Sequence, residues 1–175
     1  MKNKLFRLNI AGFIFVGITG SISHFIFEWS GYNRLIGTLV PVNESPWEHL
    51  KLLLIPYFIW SVIEFFLLKR DNKIFFCKAF GALAGMLSII VIFYTYSGII
   101  GHYILFIDIL SFFIGITAAF ALDYFMIMSE KFNTRLYNNI GIFIFFFLIA
   151  VFILFTFMPP LIPLFRDPQN LSYGI

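Results

Sequence analysis

Charge is scarce in this chain: of its 175 residues, 12% are Asp, Glu, Lys or Arg, against 61% hydrophobic. That leaves too few polar side chains to cover a water-soluble domain of this size, so lipid has to be the main solvent. Cysteine is nearly absent. Cys77 stands alone, which excludes an intrachain disulfide and a cysteine-based metal centre. Missing too are the H-E-x-x-H spacing of metalloproteases and any internal repeat or broken-helix pair of the kind found in secondary transporters. The formal charge of +3 does not point to nucleic acid, because the basic residues sit in short loops and form no contiguous soluble face.

What the chain does have is five apolar runs, at 8–29, 46–68, 74–97, 103–128 and 139–158. A hydrocarbon core of about 30 Å and a rise of about 1.5 Å per residue call for about 20 apolar residues per crossing. Five crossings are therefore expected, as one all-α bundle over 1–175. The first run is read as an uncleaved anchor, being long for a signal sequence and lacking an alanine-type cleavage site. Of the 12 basic residues, Lys2, Lys4, Arg7, Lys69, Arg70, Lys73, Lys78, Lys131 and Arg135 fall on one side of this arrangement; Arg34, Lys51 and Arg166 fall on the other. By the positive-inside rule the amino terminus is expected inside and the carboxyl terminus outside. Trp29, Trp47, Tyr94, Tyr96 and Tyr103 would mark the outer interface, with Tyr124 and Tyr137 at the inner one.

Local signals refine the picture. Gly81 and Gly85 form a small-xxx-small surface suited to close packing within the bundle. Pro56, in the middle of the second run, removes a backbone donor and frees the Leu52 carbonyl, which must find its surroundings inside the protein. The loop 30–45, with its apolar stretch 35–42, is expected to dip into the interface. The tail, with Pro159, Pro160, Pro163 and Pro168, is expected to run extended along the outer surface.

The densest polar signal is Pro41-Val42-Asn43-Glu44-Ser45-Pro46-Trp47-Glu48-His49-Leu50-Lys51. Ser45 as cap, Pro46 at the first helical position and Glu48 three residues on make a capping box. That accounts for those three. It leaves Glu44 and His49 unexplained, together with His24 and Glu28, which share one helical face four residues apart. All three histidines map to the outer side, and Asp108 follows His102 by about one and a half turns. A pocket of His24, Glu28, Glu44, Glu48, His49, His102 and Asp108 is thus expected at the outer face. Histidine nitrogen with carboxylate oxygen is the usual ligand set for zinc and related divalent ions, with His24, His49 and His102 as candidate ligands. On the inner side, Glu64 and Asp123 are expected to pair with Lys69, Lys78 or Lys131. The alternative is a proton or ion path, for which no ionisable residue is evident between the two faces.

The segment His24-Phe25-Ile26-Phe27-Glu28-Trp29-Ser30-Gly31, followed by the 41–51 segment above, resembles a family of small bacterial integral membrane proteins known as domain of unknown function 6512. The resemblance implies a polytopic bacterial membrane protein over most of the chain and brings no activity, cofactor or catalytic residue. Abundant Phe, Ile, Asn and Lys fit an AT-rich bacterial genome. The first functional reading is a non-enzymatic component of the cell membrane that binds a lipid headgroup, small ligand or protein partner through the outer pocket. The alternative is a metal-dependent membrane hydrolase, with the histidines as ligands and Glu48 or Asp108 handling protons. A coupled transporter ranks third.

Overall fold

The computed structural model describes residues 2–69, 71–129 and 131–175; Arg70, one of the basic residues used above, lies outside them. The chain forms helices α1 (Lys2–Trp29), α2 (Arg34–Gly37), α3 (Pro46–His49), α4 (Lys51–Leu67), α5 (Ile74–Ile100), α6 (Leu105–Met128) and α7 (Arg135–Phe157). With α3 and α4 forming one span, five stretches are long and apolar enough to cross a membrane. These helices cover the five apolar runs with different ends: the first begins at Lys2, the third continues to Ile100, the fourth starts at Leu105 and the fifth at Arg135. Each of the five exceeds the about 20 residues that a hydrocarbon core of about 30 Å requires. The end carrying α2, α3 and the carboxyl-terminal tail is called distal here, and the opposite end proximal.

A core of large side chains, among them Leu53, Leu54, Tyr57, Trp60, Phe145 and Phe152, is buried between the helices, but α1 is arranged differently. On α1 the residues Phe6, Ile10, Ile14, Ile18 and Ile22, each four positions from the last, stand exposed along the outward face. The opposite face buries Leu5, Asn9, Gly12, Val16, Gly20 and Ser23. Lipid is as apolar as leucine, so nothing drives the large side chains inward; small ones line the contacts because they let backbones approach. α1 lies on α4 and α6, and α5 lies on α4, α6 and α7. Gly81 and Gly85 face Ala119 and Gly115 of α6, so the small-residue surface packs within the bundle.

Pro56 is buried. The Leu52 carbonyl, which has lost its usual donor, points at Gly20 of α1, where an added Cβ would sit 2.4 Å from the oxygen. The approach leaves the carbonyl against a Cα–H surface inside the protein and away from lipid, as the bilayer requires.

At the proximal end Glu64, Lys78 and Asp123 meet. The Lys78 Nζ lies 2.7 Å from Glu64 Oε2 and 2.7 Å from Asp123 Oδ2, all three side chains being fully buried. The inner acids therefore pair with Lys78, while Lys69 and Lys131 stay exposed.

The tail departs from expectation. It does not run extended: a 3-10 turn at Pro163–Phe165 leads into a bridge between Arg166 and Tyr173 that folds the chain back. Phe165 is buried against Trp47, their rings 4.8 Å apart, and Ile175 N donates to the Thr156 carbonyl at 3.1 Å. Burial of one aromatic ring and the turn hydrogen bonds of Asp167 outweigh the extended preference of the prolines. Trp47 is accordingly no lipid-facing belt residue; it stacks on Phe152 at 4.1 Å.

The tightest helix approach is α7 on α5, where a Cβ on Gly141 would meet the Phe75 carbonyl carbon and the Phe76 nitrogen at 2.2 Å. Gly141→Ala should lower unfolding stability by about 1–3 kcal/mol, since backbone has to move. Gly98→Ala, with nothing within 4 Å of the added Cβ, should be neutral or slightly stabilising. Thermal unfolding in detergent, read by loss of the monodisperse chromatographic peak, distinguishes the two; equal midpoints would refute the packing.

Candidate functional site

Three side chains converge at the distal end. His24 comes from the last turns of α1, His49 is the final residue of α3, and Glu44 lies in the loop just before α3. Ser45 caps α3, its hydroxyl accepting from Glu48 N at 3.3 Å, with Pro46 in the first turn. This helix start fixes where His49 emerges. Its Nδ1 lies 3.0 Å from the Ser45 carbonyl, to which it donates, and this turns Nε2 toward the cluster.

His49 Nε2 is 3.3 Å from His24 Nε2, and the Glu44 carboxylate offers one oxygen to each ring, at 3.5 Å from His24 and 3.4 Å from His49. Ligand atoms of the three residues lie within 4.8 Å of one another, and this is the group of at least three metal-ligating side chains found among the described residues. Bonds of about 2.0–2.1 Å at a tetrahedral angle place neighbouring zinc ligands about 3.3–3.4 Å apart; the two imidazole nitrogens stand at that spacing, and Glu44 approaches each of them with a different oxygen. The His49 bond to a backbone carbonyl is the outer contact that orients metal-bound imidazoles. Hydrogen bonds from His24 and then His49 hold the Glu44 carboxyl well below the usual carboxylate range, so it is anionic near neutral pH.

Each of the three side chains is about one third exposed, at 32%, 36% and 29% for His24, Glu44 and His49. Beside them opens a cleft of about 230 Å³ whose wall includes His24, Phe27, Glu28, Tyr32, Asn43 and Glu44. Glu28 is exposed on this cleft and not part of the ligand group.

The remaining expected residues lie elsewhere. His102 is exposed just beyond α5 and does not belong to the cluster; Glu44 takes the place assigned to it in the ligand set. Asp108 accepts a hydrogen bond from the Tyr96 hydroxyl, which in turn accepts from Ile104 N at 3.2 Å. Glu48 is buried and does not close the second half of a capping box. Its carboxylate accepts from Lys51 Nζ at 2.7 Å and Val42 N at 3.1 Å, with the Thr156 hydroxyl 3.0 Å from its other oxygen, while Ser45 N donates to Asn43 Oδ1 at 3.0 Å. An ammonium within reach is a stronger partner than a backbone amide. Neither Glu48 nor Asp108 is thus free to handle protons at the cluster.

Sequence reasoning missed the residues that hold the loop. Lys51, counted above as an outer loop charge, is fully buried and also donates to Gly37 O at 2.9 Å, Val40 O at 3.3 Å and Thr156 Oγ1 at 2.6 Å. Asp167 of the tail accepts from Glu44 N at 3.2 Å, and Asn43 Nδ2 donates to Gly174 O at 3.1 Å. Lys51 carried one readable signal, its position at the edge of an apolar run three residues from Glu48. Asp167 carried none, because its partner lies 123 positions away.

Among known proteins, a family model described as a family of unknown function, DUF6512, matches residues 2–175. No curated protein and no solved structure matches the chain.

Removing one member of the buried Lys51–Glu48 pair strands the other's charge. Lys51→Met should therefore cost about 3–5 kcal/mol of stability, and Lys51→Met with Glu48→Gln should recover most of that loss. Thermal unfolding of the two variants checks this, and a double variant no more stable than the single one would show that the pair is not what holds the loop.

Proposed function

The chain belongs to DUF6512, and from its own geometry we propose that it is a membrane protein that holds one divalent cation of the zinc class between His24, Glu44 and His49. The observation that carries this is the mutual spacing of 3.3–3.5 Å among two imidazole nitrogens and a carboxylate, with one imidazole oriented through a backbone carbonyl. Three protein ligands leave a coordination position open toward the adjoining cleft. A small ligand or lipid headgroup with an anionic oxygen fits there, and the exposed Phe25 and Tyr32 in the cleft wall would let an amphiphile reach it from the bilayer. The charge pattern of the loops supports a distal end outside a bacterial cell membrane, with the amino terminus inside.

One observation favours a second reading. An open position on a three-ligand site is the arrangement of catalytic rather than structural zinc, and Glu28 on the same cleft offers a general base for metal-bound water. This is the hydrolase reading with Glu28 in the role earlier given to Glu48 or Asp108.

Titration of chelator-stripped protein with zinc, followed by calorimetry and elemental analysis, tests the site. One ion per chain is expected, with His24→Ala, His49→Ala and Glu44→Gln each weakening binding by about tenfold or more and His102→Ala leaving it unchanged. No stoichiometric metal, or dependence on His102 alone, overturns the proposal. Zinc-dependent turnover of an ester or amide lipid that is lost in Glu28→Gln while zinc still binds would select the hydrolase; binding without turnover selects the first reading.

A further inference from the structure

The proximal cluster does not balance its charge. Glu64 and Asp123 face a single cation, Lys78, which sits 2.7 Å from one oxygen of each, and all three side chains are fully buried. Among the described residues neither carboxylate has another ion-pair partner, and the next cation along, the buried Lys73, lies 3.7 Å from Asp71. The neutral donors are spoken for: Trp60 Nε1 donates to Glu64 Oε2 at 3.0 Å, and the Tyr57 hydroxyl lies against Asp123 Oδ2 and 3.4 Å from the Ala119 carbonyl. The faces of Phe120 and Tyr57, with centroids 4.5 and 5.2 Å from the ammonium, favour keeping Lys78 charged. The buried Cys77 thiol is the further titratable group on α5 nearby. Among the described residues, nothing hydrogen-bonds to the buried Glu64 Oε1 or Asp123 Oδ1.

Two ionised carboxylates and one ammonium would leave a net negative charge in a low-dielectric interior, where an uncompensated ion is strongly disfavoured. One more positive charge restores neutrality. We propose that Glu64, Lys78 and Asp123 form a proton-binding site that holds one exchangeable proton, shared between the two carboxyl groups. A proton taken from water converts one carboxylate to a carboxylic acid, and its release returns the cluster to a single negative charge. When the proton is on Asp123 Oδ2, it is donated to the Tyr57 oxygen while Tyr57 O–H turns to the Ala119 carbonyl, so every group in that chain is satisfied. A cleft of about 190 Å³ opens at this end of the bundle, walled by Lys4, Leu67, Leu68, Lys69, Asp71 and Ile127, and its walls on α4 and α6 begin about one turn beyond Glu64 and Asp123.

Infrared difference spectroscopy of the full chain in lipid vesicles near neutral pH reads the proton directly through the carbonyl stretch of a protonated carboxylic acid, identified by its shift in heavy water. The wild type should show the band. Both Glu64→Gln and Asp123→Asn should lose it, because either amide leaves one carboxylate against one ammonium and removes the need for the proton. Lys78→Met should add a second acid band. Absence of the band in the wild type, as when a metal cation balances the charge instead, overturns the proposal; so does its survival in either near-isosteric variant.

Discussion

The distal end of the molecule depends on one buried ammonium group. Lys51 sits fully buried at the start of α4, and a lone charge there would be prohibitive in a low-dielectric interior. It is tolerated because the chain wraps around it: Glu48 supplies the counter-charge, the Gly37 and Val40 carbonyls come from the loop, and Thr156 comes from the end of α7. Satisfying Lys51 therefore fixes the loop between the first two spans, and Glu48 tightens it further through Val42 N. Glu44 reaches the histidines as a consequence, two residues after a backbone amide that is held in place.

The same rule governs the rest of the bundle. Backbone and side-chain polar groups have no water in hydrocarbon, so their partners have to come from within the protein. The Leu52 carbonyl freed by Pro56 meets Gly20, and Glu64, Lys78 and Asp123 meet one another. The two ends differ in how completely the charges cancel. Glu48 and Lys51 balance and make a rigid clamp, whereas two acids against one lysine leave room for one more positive charge. Asp108, near the distal end of α6, is engaged by Tyr96, and among the described residues no charged side chain joins the His24 cluster to the Lys78 cluster along the buried interior.

Much of this was legible in the residue order, and the reasons are physical. Hydrocarbon thickness sets span length, so five runs in the sequence became five helices, with Ser45 and Pro46 marking the start of α3 through local chemistry that needs no tertiary contact. His24 and His49 were identifiable as partners because both flank one loop. Contacts closed over long separations were not legible. The tail reaches Asn43 and Glu44 from more than a hundred residues away, and the choice of Glu44 over His102 depends on how α1 and α3 are turned toward each other. Glu48 was assigned to its own helix amide because local reach favours it; a lysine one turn on outcompeted that amide by carrying charge.

The central claim is that this folding places two imidazoles and one carboxylate around a common point. X-ray absorption at the zinc edge of the loaded protein tests it most directly. The account predicts a first shell of nitrogen and oxygen alone at about 2.0–2.1 Å, with outer-shell scattering from two imidazole rings that falls to one ring in His24→Ala. A shell with no imidazole scattering, or two rings still present after His24 is removed, would contradict it.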